Sequence, residues 1–153
     1  VSGLVWSVDP TAKFLYGNEA VGRGEWVANF ANRWRSLYGG DFRLLPSVSL
    51  GWHIYPAWWL GQGVNNYSGW RDRLGVALAH SEGDIVITEL SLDGATNQVD
   101  LFQYLMALMD AEPRVREWYL LSWADARLLD EAGNLTPLGL AFTDEILARQ
   151  NNP

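Results

Sequence analysis

The chain has 153 residues, of which 48% are apolar and 13% aromatic, so it is long and apolar enough to fold around a core and is not intrinsically disordered. Its net charge of −7, from 11 basic and 18 acidic residues, repels a phosphate backbone and argues against a nucleic-acid partner. The absence of cysteine excludes thiol catalysis, disulfide bonds and cysteine metal sites.

The sequence predicts neither a membrane partner nor a compartment. No apolar run approaches the roughly 20 residues that cross a bilayer. No basic segment leads into an apolar one after Val1, so a secreted or periplasmic protein is expected only if a leader has been removed. No repeat or linker interrupts the chain, and a single domain over residues 1–153 is expected.

Short apolar runs alternate with stretches of helical periodicity, which predicts an α/β fold with a mostly parallel sheet. A strand is expected over residues 13–18 and a helix over 25–38, followed by two strands over 42–48 and 50–55. Parallel neighbours need a connection of about a dozen residues. Either the run 42–48 is therefore not a sheet strand, or the crossover helix after it is missing.

The second half continues the alternation. A helix, a strand, a helix and a strand are expected over residues 68–80, 84–90, 97–111 and 117–123. The strand over 84–90 is β-branched on both faces, which is typical of a strand covered by helices. A last helix is expected to begin with Thr136 as N-cap and Pro137 at its first position, and the acidic residues Asp125, Asp130 and Glu131 before it are expected in a solvated loop.

Two of the predicted strands end in a glutamate, Glu19 in FLYGNE and Glu89 in IVITE. The carboxyl ends of parallel strands meet at one edge of a sheet, so we expect the two carboxylates to lie across a cleft. Such a pair hydrolyses a glycosidic bond without a metal, with retention at a separation of about 5–5.5 Å and inversion at roughly 6.5–9.5 Å. A single glutamate at a strand end more often caps a helix or forms a surface ion pair.

The runs YGNEA, GWHIYP, IVITEL and WYLLSW, with LLDEAGNLTPLG after them, resemble strands four, six, seven and eight of clan A (β/α)8 glycoside hydrolases. The similarity is greatest to bacterial and fungal enzymes with a "glycosyl hydrolase catalytic core" domain, including β-1,3-glucanases. The resemblance implies the C-terminal half of a TIM barrel, strands four to eight with the fifth crossover helix missing. Such barrels take about 250 residues. It therefore also implies completion by a second copy in a homo-oligomer or by a missing N-terminal half.

The resemblance implies a retaining hydrolase of a β-glucan-like polysaccharide, with Glu19 as acid/base and Glu89 as nucleophile. Asn18 matches the asparagine that binds the sugar 2-hydroxyl. The chain reads Asn18-Glu19-Ala20, whereas members of the family usually have proline at the third of these positions. This change leaves the motif recognisable.

Aromatic and imidazole side chains complete the expected substrate site. The resemblance assigns His53 and Tyr55 to positions near the nucleophile and Trp123 to the floor of the subsite for the cleaved sugar. Trp58 and Trp59 follow the GWHIYP strand, and aromatic faces stack on sugar rings. The alternative for Trp58 and Trp59 is that they fill the core or cover an edge of the sheet left by the missing strands.

No histidine or carboxylate spacing indicates a metal site, and neither a metal nor a cofactor is expected. Two other interpretations stay open beside the enzyme. One is a non-catalytic carbohydrate-binding or scaffold module descended from such a hydrolase. The other is an excised fragment without activity of its own.

Overall fold

The computed structural model describes residues 8–9, 11–19, 25–40, 48–55, 67–81, 83–122 and 125–151. Within these ranges β-strands and α-helices alternate strictly. The elements are β1 (Phe14–Glu19), α1 (Glu25–Tyr38), β2 (Val48–Ile54), α2 (Tyr67–His80), β3 (Ile85–Leu90), α3 (Gln98–Asp110), β4 (Val115–Leu120) and α4 (Pro137–Asn151). No helix in this part of the chain is long and apolar enough to cross a membrane.

The strands of the described residues form one parallel sheet in the order β1-β2-β3-β4. This confirms the predicted α/β class with a parallel sheet. Because the spatial order follows the chain order, the sheet has no point at which its winding reverses. A doubly wound sheet has such a point and binds its ligand there. Here the carboxyl ends of all these strands form one continuous edge.

The structure corrects the prediction of a separate strand between β1 and β2. β1 pairs directly with β2, from Phe14 opposite Val48 to Glu19 opposite Trp52. Residues 42–47 of the predicted strand lie outside the described residues, and its last residue, Val48, opens β2. Helix α1 is therefore the crossover between two adjacent strands, as parallel pairing requires. Within the described residues, β1, α1 and β2 thus form a complete parallel unit.

Strand β4 covers Val115–Leu120 and not the predicted range 117–123. Beyond Leu120, a backbone bond of 2.8 Å from Leu121 N to Leu90 O extends the ladder to β3. The Ser122 hydroxyl then donates to Ala126 O and accepts from Leu128 N, both at 3.2 Å. Ser122 is thus bonded to the loop that follows and not to β3, and β4 ends at Leu120.

One face of the sheet packs against the four described helices. The residues of β2 and β3 that face the helices alternate along each strand and are fully buried: Leu50, Trp52, Ile54, Ile85 and Ile87. The helices contribute Val27 from α1, Leu74 and Ala77 from α2, Leu101, Phe102, Leu105, Met106 and Met109 from α3, and Leu138 from α4. The predicted burial of the third strand is confirmed. The opposite face stays open, with Leu15 49% and Tyr119 55% exposed.

Helices α3 and α4 each begin at a capped turn. The Thr136 hydroxyl accepts a 3.0 Å hydrogen bond from Gly139 N, and Pro137 takes the first helical position of α4, as predicted. Asn97 caps α3 by accepting from Asp100 N. These caps begin both helices beside the carboxyl edge of the sheet.

Candidate functional site

Glu89 and His53 lie side by side at the carboxyl edge of the sheet. The two residues pair in register between β3 and β2, and Glu89 Oε2 is 3.5 Å from His53 Nδ1. The Glu89 side chain is 38% exposed, whereas that of His53 is 17% exposed. The carboxylate is therefore partly exposed to solvent, while its Oε2 oxygen contacts a mostly buried imidazole.

A β-bulge brings Glu89 to this position. Strict alternation would place Glu89 on the same face as Ile85 and Ile87, beneath the helices. Trp52 pairs with Ile87 but the next residue, His53, pairs with Glu89, so Thr88 is an extra residue in β3. The Thr88 hydroxyl donates to Trp52 O at 3.3 Å, which ties the bulge to the neighbouring strand. The bulge turns the Glu89 side chain onto the open face of the sheet, beside His53.

The His53 ring is positioned by its neighbours on β2. Trp52 and Ile54 face the core, so His53 lies on the opposite face. The Tyr55 ring meets the imidazole edge-on, with centroids 5.8 Å apart and an interplanar angle of 83°. Within the described ranges, Nδ1 is buried without a hydrogen-bond partner, and its 3.5 Å contact with Glu89 becomes an ion pair when the imidazole is protonated.

The backbone of β1 ends on the same edge. Glu19 is its last residue and lies opposite Trp52, one position before the His53–Glu89 pair. Only β2 separates the strands that carry the two glutamates, so their backbones are about two strand spacings, or about 10 Å, apart. Asn18 belongs to the same strand. The structure thus brings the ends of the FLYGNE and IVITE strands to one edge.

Three of the predicted site residues, Trp58, Trp59 and Trp123, lie outside the described residues. Their expected contribution to sugar binding stays a prediction. Groups of three or more histidines and acidic residues able to hold a metal ion do not occur in the described part of the chain.

Sequence reasoning missed a pair of aspartates at the same edge. Asp93 Oδ1, in the loop after β3, accepts a 3.0 Å bond from Ala126 N, and Asp125, in the loop after β4, accepts one of 3.0 Å from Gly94 N. Burial raises the pKa of Asp93, and the neighbouring Asp125 raises it further. Asp125 is exposed, as expected of a solvated loop, and its carboxylate also accepts from the backbone of the neighbouring loop. The available signal was Asp93-Gly94, a turn dipeptide directly after the best predicted strand.

The chemistry of this edge rests on carboxylates and an imidazole. The Glu89 side chain is 38% exposed and so is accessible to a ligand, and among the described residues His53 Nδ1 lies 3.5 Å from its carboxylate. No protein-family model, curated protein or solved structure matches the chain.

Proposed function

We propose that the chain is the catalytic half-barrel of a glycoside hydrolase that cleaves a β-glucan-like polysaccharide by a two-glutamate double displacement. The observation that carries the proposal is the bulge that turns Glu89 out of the core and against His53, at the edge where β1 ends in Glu19. A buried strand has no packing reason to expose its carboxylate in this way. Bulges recur beside active sites because they re-aim a side chain.

Each glutamate has a distinct role in the proposed reaction. Glu89 attacks the anomeric carbon and forms a glycosyl ester, while Glu19 protonates the departing oxygen. Glu19 then takes a proton from water as the water oxygen attacks the anomeric carbon. This breaks the ester bond to Glu89 and releases the sugar with its configuration retained. His53 lies beside the nucleophile, and the sugar rings contact a set of side chains that comprises Asn18, Tyr55, Trp58, Trp59 and Trp123.

The sheet supports a partial (β/α)8 barrel as the scaffold. Its strand order follows the chain, and its helices pack on one face, as in a singly wound barrel. The described sheet accounts for half of the eight strands of such a barrel. The open face, which carries a pocket of about 320 Å³ lined in part by Leu15, Val86 and Tyr119, corresponds to the barrel interior.

An open inner face is an aggregation hazard unless it is covered. We therefore propose that a second copy of the chain, or a separate N-terminal half, completes the barrel. For the second copy, sedimentation velocity is expected to give a particle of twice the 17.2 kDa chain mass, with hydrolysis only in that fraction. A well-folded monomer that hydrolyses β-glucan by itself would contradict completion by any partner.

Substrates with different leaving groups test the role of Glu19. Glu19→Gln is expected to lose roughly a hundredfold or more of its activity on a β-1,3-glucan, because an alkoxide cannot depart without a proton. An activated aryl glycoside needs no such proton. With that substrate the variant should release a rapid burst of phenol and then stall as the glycosyl ester accumulates.

The exposed Glu131, in the loop before α4, provides the matched control. Glu131→Gln should keep the wild-type rates on both substrates. Equal losses of Glu19→Gln on glucan and aryl glycoside, with no burst, would remove Glu19 from the acid/base role. A chain that binds β-glucan in every assembly state but never hydrolyses it would instead be the carbohydrate-binding module.

A further inference from the structure

Aromatic side chains follow one another along helix α1 at a spacing of four residues: Trp26, Phe30, Trp34 and Tyr38. The centroids of neighbouring rings are 5.4, 6.3 and 4.6 Å apart, so the rings form an unbroken row along about 18 Å of the helix. The planes of the first two rings, Trp26 and Phe30, are parallel to within 2°. We call these four side chains the aromatic row.

The packing of α1 on the sheet does not require the whole row. The helix is anchored by the buried Val27 and Ala31, and Trp34 is the member of the row that packs against Ala31. The other members keep a large exposed fraction, 52% for Trp26, 38% for Phe30 and 69% for Tyr38. A contiguous exposed apolar patch of this kind marks an interaction site.

The exposed surface of the aromatic row suits a narrow ligand. An aromatic side chain offers about 150–250 Å², so the exposed fractions leave roughly 300–400 Å² of surface in a strip about one ring wide. A stable protein–protein interface takes about 800 Å² from each partner. The row is therefore too small to hold a second copy of the chain, whereas an extended polymer fits its shape.

The chemistry of the aromatic row favours an uncharged sugar polymer. The face of an aromatic ring is electron-rich and attracts the C–H groups on the face of a β-linked glucose ring. Asn29 and Arg33, both exposed, each follow a ring of the row by three residues, so they lie beside the rings and can bond sugar hydroxyls. The net charge of −7 repels anionic polymers and anionic lipid surfaces, but not an uncharged glucan.

The aromatic row starts on the side of the candidate site. Helix α1 begins at Glu25, shortly after β1 ends at the carboxyl edge with Glu19, and it leads back to the start of β2. A crossover helix therefore runs from the carboxyl edge toward the opposite edge. Trp26 is the member of the row nearest to the carboxyl edge, and Tyr38 is the farthest from it.

We propose that the aromatic row is a second polysaccharide-binding site, which holds a β-glucan chain along α1 and away from the point of cleavage. The choice of a β-glucan rests on the proposed function, because it is the polymer that the carboxyl edge is proposed to cleave. Binding at the row keeps an insoluble polymer beside that edge. A small soluble substrate gains nothing from it.

Depletion of the full chain from solution by insoluble β-1,3-glucan tests the site. Trp26→Leu keeps an apolar side chain but removes the ring, so it should weaken binding by roughly threefold to tenfold, as the loss of one stacking contact gives. Trp26→Tyr keeps a ring and should retain most of the affinity. Because Trp26 is half-exposed, both variants should unfold in urea at the wild-type midpoint.

Leu37→Ala is the matched control, since Leu37 is 55% exposed on the same helix but carries no ring. This variant should bind the glucan as the wild type does. A wild-type chain that does not bind the glucan, unchanged binding in Trp26→Leu, or an equal loss in Leu37→Ala would overturn the proposal. A smaller particle for Trp26→Leu in sedimentation velocity would also overturn it, because the row would then bind a second copy.

A soluble aryl glycoside separates this proposal from the proposed hydrolase. Trp26→Leu should cleave it at the wild-type rate and lose activity only on the insoluble glucan. A chain that cleaves neither substrate but binds the glucan through Trp26 would contradict the hydrolase and support the second site. A chain that cleaves the aryl glycoside while Trp26→Leu binds the glucan normally would support the hydrolase and overturn the second site.

Discussion

Glu89→Gln is expected to reduce hydrolysis of a β-1,3-glucan by at least about a thousandfold while leaving glycan binding intact. An amide of the same shape cannot form the glycosyl ester, so the first displacement fails. The side chain is partly exposed, and its 3.5 Å contact with His53 tolerates an amide oxygen or nitrogen. The loss should therefore appear in kcat with little change in the free energy of unfolding, as measured by reducing-sugar release and urea denaturation.

Glu117→Gln is the control on the same sheet. Glu117 is exposed on β4, where it accepts a 2.9 Å bond from the Tyr119 hydroxyl, and it belongs to no proposed step. This variant should keep the wild-type activity. Hydrolysis by Glu89→Gln at a rate near that of the wild type would end the assignment of Glu89 as nucleophile.

The predicted features that the structure confirms are those with local causes. The start of α4 follows from Thr136 and Pro137, which act within one helical turn. The burial of β3 follows from its β-branched composition. The alternation of strands and helices, and hence the shared edge of the strand ends, required only the periodicity of apolar residues.

The features that could not be predicted depend on partners distant in sequence. The apolar runs over residues 42–48 and 50–55 lie close together in the chain, and their composition does not indicate which of them pairs with β1. The bulge at Thr88 depends on the register of β3 against Trp52 and His53, which a strand's own residues do not specify. The bonds from Ala126 N to Asp93 and from Gly94 N to Asp125 join two loops far apart in the sequence, and only the folded chain reveals them.

Gly139→Ala is expected to destabilise the fold by about 2–4 kcal/mol, because the first turn of α4 approaches the loop before it too closely for a side chain. A Cβ at Gly139 would overlap the Leu128 carbonyl oxygen and lie 3.0 Å from the Leu128 carbonyl carbon. That carbonyl cannot yield freely, since it accepts from Thr136 N at 3.0 Å. Relief of the overlap therefore disturbs the cap of α4 as well as the buried packing around Leu138.

Gly75→Ala makes the same chemical change where space is open. Gly75 lies within α2, and a Cβ there would meet no atom within 4 Å. Alanine loses less conformational entropy than glycine when a helix forms, so this variant should gain about 0.5–1 kcal/mol. Urea unfolding followed by tryptophan fluorescence measures both variants. The two substitutions should shift the midpoint in opposite directions, and a Gly139→Ala midpoint equal to or above that of the wild type would show that α4 and Leu128 do not approach as described.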